Sequence, residues 1–285
     1  MATIRTIAGA ARLVTMNALL MKIQEHFIHD KIAVPLTVPR ISRAHLLKQL
    51  SENLFSANAT ILNGRAGSGK TMLALDFSRH VGRAVAWYKV DAVDNELRTF
   101  CEYLTAAIRR QRPSINVNSL IELAATVDGD NVELLADALV FQISEAKGEP
   151  LLIVIEDLHQ VYDADWVVPL FRRFLPLLPS DVHVLITCRS LPPTPLWRMR
   201  SKQMLRVLDE AELAFTVDDA IDLFRTYGLG EDHARAAWNE TNGRAATIAE
   251  FAATPGRAGR ALADNLLSFK SPRLRSLPST PDFST

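Results

Sequence analysis

Short, largely apolar runs alternate along the chain with longer stretches in which apolar residues recur every three or four positions. Ala59 to Leu62, Ala84 to Val90, Leu151 to Ile155, His183 to Thr187 and Leu205 to Leu208 are runs of the first kind and read as strands. Leu151 to Ile155 has no polar alternation at all, as expected of a strand buried on both faces. Thr71 to His80, Glu96 to Gln111, Asn131 to Lys147 and Trp166 to Leu178 read as helices, the last bounded by Pro179. In the first, Met72, Leu73, Leu75 and Phe77 are assigned to the buried side. In the second, Leu97, Phe100, Cys101, Leu104 and Ile108 fall on one face at helical spacing. Strands that alternate with helices predict a parallel sheet sandwiched by helices.

The pattern changes after Phe215. Thr216 is placed to cap a helix from Val217 to Tyr227, with Asp218 and Asp219 in the first turn, where the helix dipole favours acids. Gly228 and Gly230 end it. Glu231 to Thr241 and Ala245 to Ala253 follow as two more helices, separated by Asn242-Gly243. The expected organisation is an N-terminal extension over 1–33, with a frayed amphipathic helix. An α/β domain follows over 34–214, then a small helical module over 215–269, lid-like or winged-helix-like, and a disordered tail over 270–285. Ser271 to Thr285 holds three prolines and six Ser or Thr, too few apolar groups to repay the entropy of ordering.

Composition narrows the function classes. The chain has 285 residues, enough for one or two domains with a real core. Its 32 Lys and Arg balance 32 Asp and Glu, so no overall field favours nucleic acid or an anionic membrane. Five basic residues against one acid between Arg257 and Arg275 allow weak contacts only. No run approaches the ~18 apolar residues of a membrane span. Cys101 and Cys188 show no metal-ligand spacing and read as buried thiols of a reducing, cytoplasmic compartment. Arg5, Arg12 and Lys22 precede the first acid, Glu25. That resembles a transit peptide only weakly.

Gly64-Arg65-Ala66-Gly67-Ser68-Gly69-Lys70-Thr71 matches G-x-x-x-x-G-K-[ST]. The glycines let the backbone curl until successive N–H groups point at phosphate oxygens, and the helix that opens there adds its positive end. Lys70 supplies a point charge for the β- and γ-phosphates, and the Thr71 hydroxyl a ligand for Mg²⁺. Arg65, Ala66 and Ser68 complete the loop, and Met72 follows in the first helical turn; all count as nucleotide-contacting positions. A strand before and a helix after are the context the motif needs, and the pattern implies binding of ATP with Mg²⁺.

Such a loop requires an acid on a neighbouring strand. Glu156 and Asp157 end the run from Leu151, at the strand edge where open α/β sheets bind ligands. Glu156 is suited to ligate Mg²⁺, directly or through water, and Asp157 to orient or deprotonate an attacking water. The order of these two roles stays open. Arg189, just past the strand His183 to Thr187, is aimed at the same edge and is a candidate sensor of the γ-phosphate.

Several segments together resemble a STAND-class P-loop ATPase, specifically the nucleotide-binding module of ATP-dependent LuxR-type regulators of the maltose-activator family. They are Val38-Pro39-Arg40 with Leu46-Leu47, Trp87-Tyr88 through Asp91 with Asp94-Asn95, Ile155-Glu156-Asp157-Leu158-His159, Ile186-Thr187-Cys188-Arg189 with Pro192 and Pro193, and Phe215-Thr216. The likeness covers roughly 34–254. It implies that Lys70 and Thr71 bind phosphate and metal, that Glu156 and Asp157 are the acidic positions, that Arg189 is the sensor, and that Val38 and Arg40 border the adenine. It also implies a switch held closed by ADP and released by ATP with an inducer, through a protein partner or ATP-dependent self-association. Two departures stand out. Glu156 occupies a position usually held by aspartate, and Asn242-Gly243-Arg244-Ala245 lacks the proline that follows the glycine in relatives. No helical repeats or helix-turn-helix pattern follow the helical module, so direct DNA binding is not expected. A stand-alone remodelling ATPase and a nucleotide-holding module without hydrolysis are the alternatives.

Overall fold

The computed structural model describes residues 29–127, 131–202 and 204–254. The expectations for 1–28, including the basic leader, and for the tail over 270–285 lie outside the described residues. The chain divides into two units, 1–213 and 214–285.

In the first unit, helix α1 (Ala44–Ser56) precedes strand β1 (Ala59–Asn63), which leads through the Gly-rich turn into α2 (Lys70–His80). Strand β2 (Ala84–Lys89) is followed by a 3₁₀ turn at Ala92–Asn95 and by α3 (Leu97–Arg109), α4 (Val117–Thr126) and α5 (Val132–Glu145). Then come β3 (Leu151–Glu156), α6 (Val167–Leu177), β4 (Val182–Cys188), the short turn Thr194–Trp197 and β5 (Leu205–Leu208). The five strands form one parallel sheet in the order β2-β3-β4-β1-β5. It is the α/β P-loop architecture that the sequence predicts, with β4 lying between the strand that feeds the loop and the strand that ends in acids.

Alternate residues of each strand serve two cores. Ile61, Ile153, Ile155, Val184 and Ile186 face one side and pack with Phe100, Leu104, Leu139, Leu170 and Phe174 from α3, α5 and α6. Leu62, Leu152, Val154 and Leu185 face the other and pack with Leu46 and Leu50 of α1 and Leu73 and Phe77 of α2. Burial on both faces is why β3 and β4 contain almost no alternation to read. Three features differ from expectation. Ala44–Ser56 was not anticipated as a helix; only its Leu46-Leu47 segment was noted. Val117–Thr126 was not anticipated as a helix; its signal is the cap Asn116, whose side chain accepts from the Ser119 N–H. Met72 is not buried but 42% exposed, because α2 turns Leu73, Ala74, Leu75 and Phe77 inward and Met72 stands on the opposite side.

The described part of the second unit holds α8 (Val217–Thr226), α9 (Glu231–Thr241) and α10 (Ala245–Ala253), numbering the turn Thr194–Trp197 as α7. Thr216 and Asp219 form a reciprocal capping box at the start of α8, satisfying two N–H groups the helix leaves unpaired. Gly243 has φ +80°, and a Cβ there would stand 2.6 Å from the Phe215 carbonyl oxygen, so only glycine fits this turn. Its own carbonyl accepts from the Phe215 N–H at 2.8 Å.

One buried titratable group sits at the opposite edge of the sheet from the loop. His183 is 2% exposed. Its Nδ1 lies 3.1 Å from the Ala57 carbonyl and its Nε2 3.0 Å from the Thr60 hydroxyl. A carbonyl only accepts, so Nδ1 carries the proton and Nε2 accepts. Burial lowers its pKa from 6.5 to about 4. The unfolded chain therefore binds a proton that the folded chain refuses between these two values, and stability falls as pH drops through that window, by about 1.4 kcal/mol per pH unit. Urea unfolding at a series of pH values should give this acid slope in the wild type and a shallower one in His183→Gln.

Candidate functional site

The turn between β1 and α2 is built around its small residues. Gly67 and Gly69 have φ of +82° and +84°, a region that side chains with a Cβ avoid. Gly64 meets a different constraint, since a Cβ there would stand 2.8 Å from Ser68 Oγ. Lys70 opens α2 and folds back over the loop. Its ammonium is donated to the Gly64 carbonyl, to the Arg65 carbonyl at 2.9 Å and to Ser68 Oγ at 3.2 Å. Burial of this side chain lowers its pKa, and the negative charge of Asp157 works the other way.

Two further side chains brace the loop. Arg65 reaches Glu210, beyond β5, with Nε 2.8 Å from Oε1 and its backbone N–H 3.2 Å from Oε2. Arg43, 4% exposed, donates to the Gly69 carbonyl at 3.3 Å and to the Leu213 carbonyl at 2.7 Å. It thereby ties the start of α1 to the end of the loop. Sequence reading counted Arg65 only as a nucleotide-contacting loop position and did not single out Arg43.

Across the sheet edge, Glu156 is 5% exposed. Its Oε1 accepts from the Thr71 hydroxyl at 2.6 Å and its Oε2 from the Trp87 indole N–H at 3.3 Å. Asp157 turns away. It is one of two described non-glycine residues at positive φ, with φ 58° and ψ 36°, a conformation that costs energy and that aspartate tolerates better than most residues. Its N–H is donated to the Thr187 hydroxyl of β4 at 2.9 Å. Its Oδ1 lies 3.7 Å from Arg189 Nε and 3.7 Å from His159 Nδ1. Nδ1 of His159 has no hydrogen-bond partner among the described residues, and burial lowers the pKa of this ring.

The structure thus brings Gly64 to Thr71, Glu156, Asp157 and Arg189 to one edge of the sheet. Val38, 68% exposed, and Arg40 lie on the segment ahead of α1, where Thr37 accepts from Arg79 of α2 through its carbonyl at 2.8 Å. A backbone turn with glycines at positive φ, a lysine ammonium, and hydroxyl and carboxylate oxygens side by side form the kind of donor set that fits triphosphate and Mg²⁺.

The family model of the AAA ATPase domain matches residues 40–187, just over half of the chain. The chain belongs to the AAA ATPase domain family. Among curated proteins, this AAA ATPase domain is similar to the HTH-type transcriptional regulators MalT of Serratia proteamaculans and Yersinia enterocolitica. Identity is 28% over 199 and 198 residues, covering 69% of this chain and 21% of each relative. The chain therefore spans about a fifth of the length of these relatives. Among solved structures, the Walker-type ATPase PABY2304 of Pyrococcus abyssi matches with a TM-score of 0.49 at 13% identity, covering 83% of this chain and 77% of that one. The ORC1 protein of Aeropyrum pernix in complex with DNA matches with a TM-score of 0.47 at 17% identity, covering 83% and 67%. No described helix of the AAA ATPase domain is long and apolar enough to cross a membrane.

The Thr187 hydroxyl holds the backbone of Asp157 in its left-handed conformation. Thr187→Val keeps the shape, removes the acceptor and leaves a partly buried N–H unpaired. It should destabilise the fold by about 1–3 kcal/mol, measured by denaturant unfolding.

Proposed function

We propose that the chain is an ATP-binding switch module of a signalling or transcription-regulatory system, with slow Mg²⁺-dependent hydrolysis. The observation that carries this reading is the convergence of Lys70, Thr71, Glu156, Asp157 and Arg189 on one sheet edge. Gly64 to Met72 would cradle the phosphates, with Val38 and Arg40 bordering the adenine. Thr71 and Glu156 would hold Mg²⁺, which would supply charge neutralisation for the phosphates. The MalT relatives are transcriptional regulators by name, which supports a regulatory output. That output would pass through a protein partner or through ATP-dependent self-association.

The chemistry follows from the chain's own groups. Lys70 now donates to loop carbonyls and a hydroxyl; anionic phosphate oxygens are stronger acceptors and would draw the ammonium to themselves. Asp157 would orient an attacking water and take its proton. Here Asp157 faces Arg189, so a γ-phosphate that attracts the guanidinium would free the carboxylate. ATP would then be distinguished from ADP by the position of Arg189, and a ligand shifts an equilibrium only through such a differential contact.

Two outcomes follow. Asp157→Asn should keep ATP affinity and lower turnover by roughly 10²–10⁴ in a phosphate-release assay. The same pattern in Glu156→Gln instead would exchange the two roles. Arg189→Ala should bring ATP affinity down towards that for ADP, by roughly tenfold to a hundredfold, the worth of one charge-assisted hydrogen bond. Paired calorimetric titrations of ATP and ADP, with light scattering for assembly, check this. Equal losses for both nucleotides would make Arg189 structural, and no binding by the wild type would remove the proposal itself.

A further inference from the structure

We infer that Trp87 is a positioning residue for the metal-binding carboxylate. The inference rests on the proposed nucleotide site and names a residue that acts on it from behind. Trp87 is in β2 and pairs in register with Val154, two residues before Glu156 in β3. Side chains two apart on a strand share a face, so Val154 and Glu156 point to the α2 side. Trp87 is on that side too, in the core with Leu73, Leu75 and Phe77. It is 1% exposed. A buried indole N–H needs an acceptor, and here it takes Glu156 Oε2 at 3.3 Å.

The consequence is a division of one carboxylate between two donors. Oε2 is held from the rear by Trp87, and Oε1 faces the Thr71 hydroxyl at 2.6 Å. Glutamate has one more rotatable bond than aspartate, and a carboxylate on so long a stem gains most from a second anchor. With Thr71 and Trp87 both bound, Glu156 presents a single oxygen edge towards the cradle. Without the indole N–H, Oε2 loses its buried partner, and the carboxylate, held only at Oε1 by Thr71, can pivot. Mg²⁺ demands near-ideal octahedral geometry, so a rotating ligand weakens the metal more than the phosphates.

The test separates the metal from the nucleotide. ATP affinity is measured by calorimetry with Mg²⁺ and with EDTA, in wild type, Trp87→Phe, Glu156→Gln and the double variant. The difference between the two conditions is the Mg²⁺ enhancement. Trp87→Phe, which keeps the aromatic bulk, should reduce that enhancement about tenfold while leaving the EDTA affinity unchanged. In the double variant the loss should equal that of Glu156→Gln alone, since coupled residues are not additive. Equal losses with Mg²⁺ and with EDTA would make Trp87 merely structural and overturn the inference. So would a full enhancement in Trp87→Phe, or losses that add in the double variant. If Glu156→Gln itself keeps the enhancement, the assignment of Glu156 to the metal falls, and the inference with it.

Discussion

The hydrogen bond from the Thr71 hydroxyl to Glu156 joins two parts of the sheet that β4 holds apart. Thr71 belongs to the arm built on β1, and Glu156 ends β3, two strands away. The contact is possible because α2 rises from the loop over the same face to which Glu156 points. In a parallel sheet every strand delivers its C-terminal end to one edge, so the loop after β1, the acids after β3 and the arginine after β4 have to meet there. Burial of both faces keeps the strands mostly apolar until that edge, and the polar side chains buried within them, Thr60, His183 and Thr187, are each hydrogen-bonded.

That constraint also explains which parts were legible in the sequence. The apolar runs of β1, β3 and β4 stop at Asn63, Glu156-Asp157 and Arg189, so the chemistry announces itself by interrupting hydrophobic text. The helices of the second unit were legible because their ends carry signals: Thr216 with two acids, Gly230, and Asn242-Gly243. The order of the strands was not legible, since all five are apolar and nothing local tells β4 to insert beside β1. Met72 was misread because its spacing allowed either side of α2. Trp87 entered only as part of a family-like segment; the register of β2 against β3 reveals that its N–H meets a carboxylate. The buried Arg43 was hidden for a related reason, because its partners at Gly69 and Leu213 are far away in sequence.

Three of the seven described positive-φ residues lie at the same edge. Gly67, Gly69 and Asp157 all take positive φ, and the first two are glycines, for which that costs little. Asp157 is not. Its conformation turns the chain out of the strand just after β3, so that Glu156 bonds to Thr71 while Asp157 bonds through its N–H to Thr187 of β4. A residue that continued the strand would also point away from Glu156, into the core served by Ile153 and Ile155. The left-handed turn instead keeps the second carboxylate at the surface of the edge, 15% exposed on its side chain, and the Thr187 hydroxyl holds the turn in place.

The relative strengths of the contacts at this edge decide which one a nucleotide would displace. Thr71 and Glu156 are 2.6 Å apart in a part-buried contact, so their bond resists exchange more than an exposed ion pair does. Arg189 and Asp157 are 3.7 Å apart, and Arg189 is 49% exposed on its side chain. An ion pair of that kind contributes about 0–1 kcal/mol. A hydrogen bond from the guanidinium to a phosphate contributes about 1.5–3 kcal/mol, which exceeds it. Under the proposed reading, the γ-phosphate would therefore win Arg189 without disturbing the fold, and the same step would release Asp157 beside the phosphate. Sensing and activation would then be one exchange of partners, because the arginine that reads the phosphate is the one that holds the base.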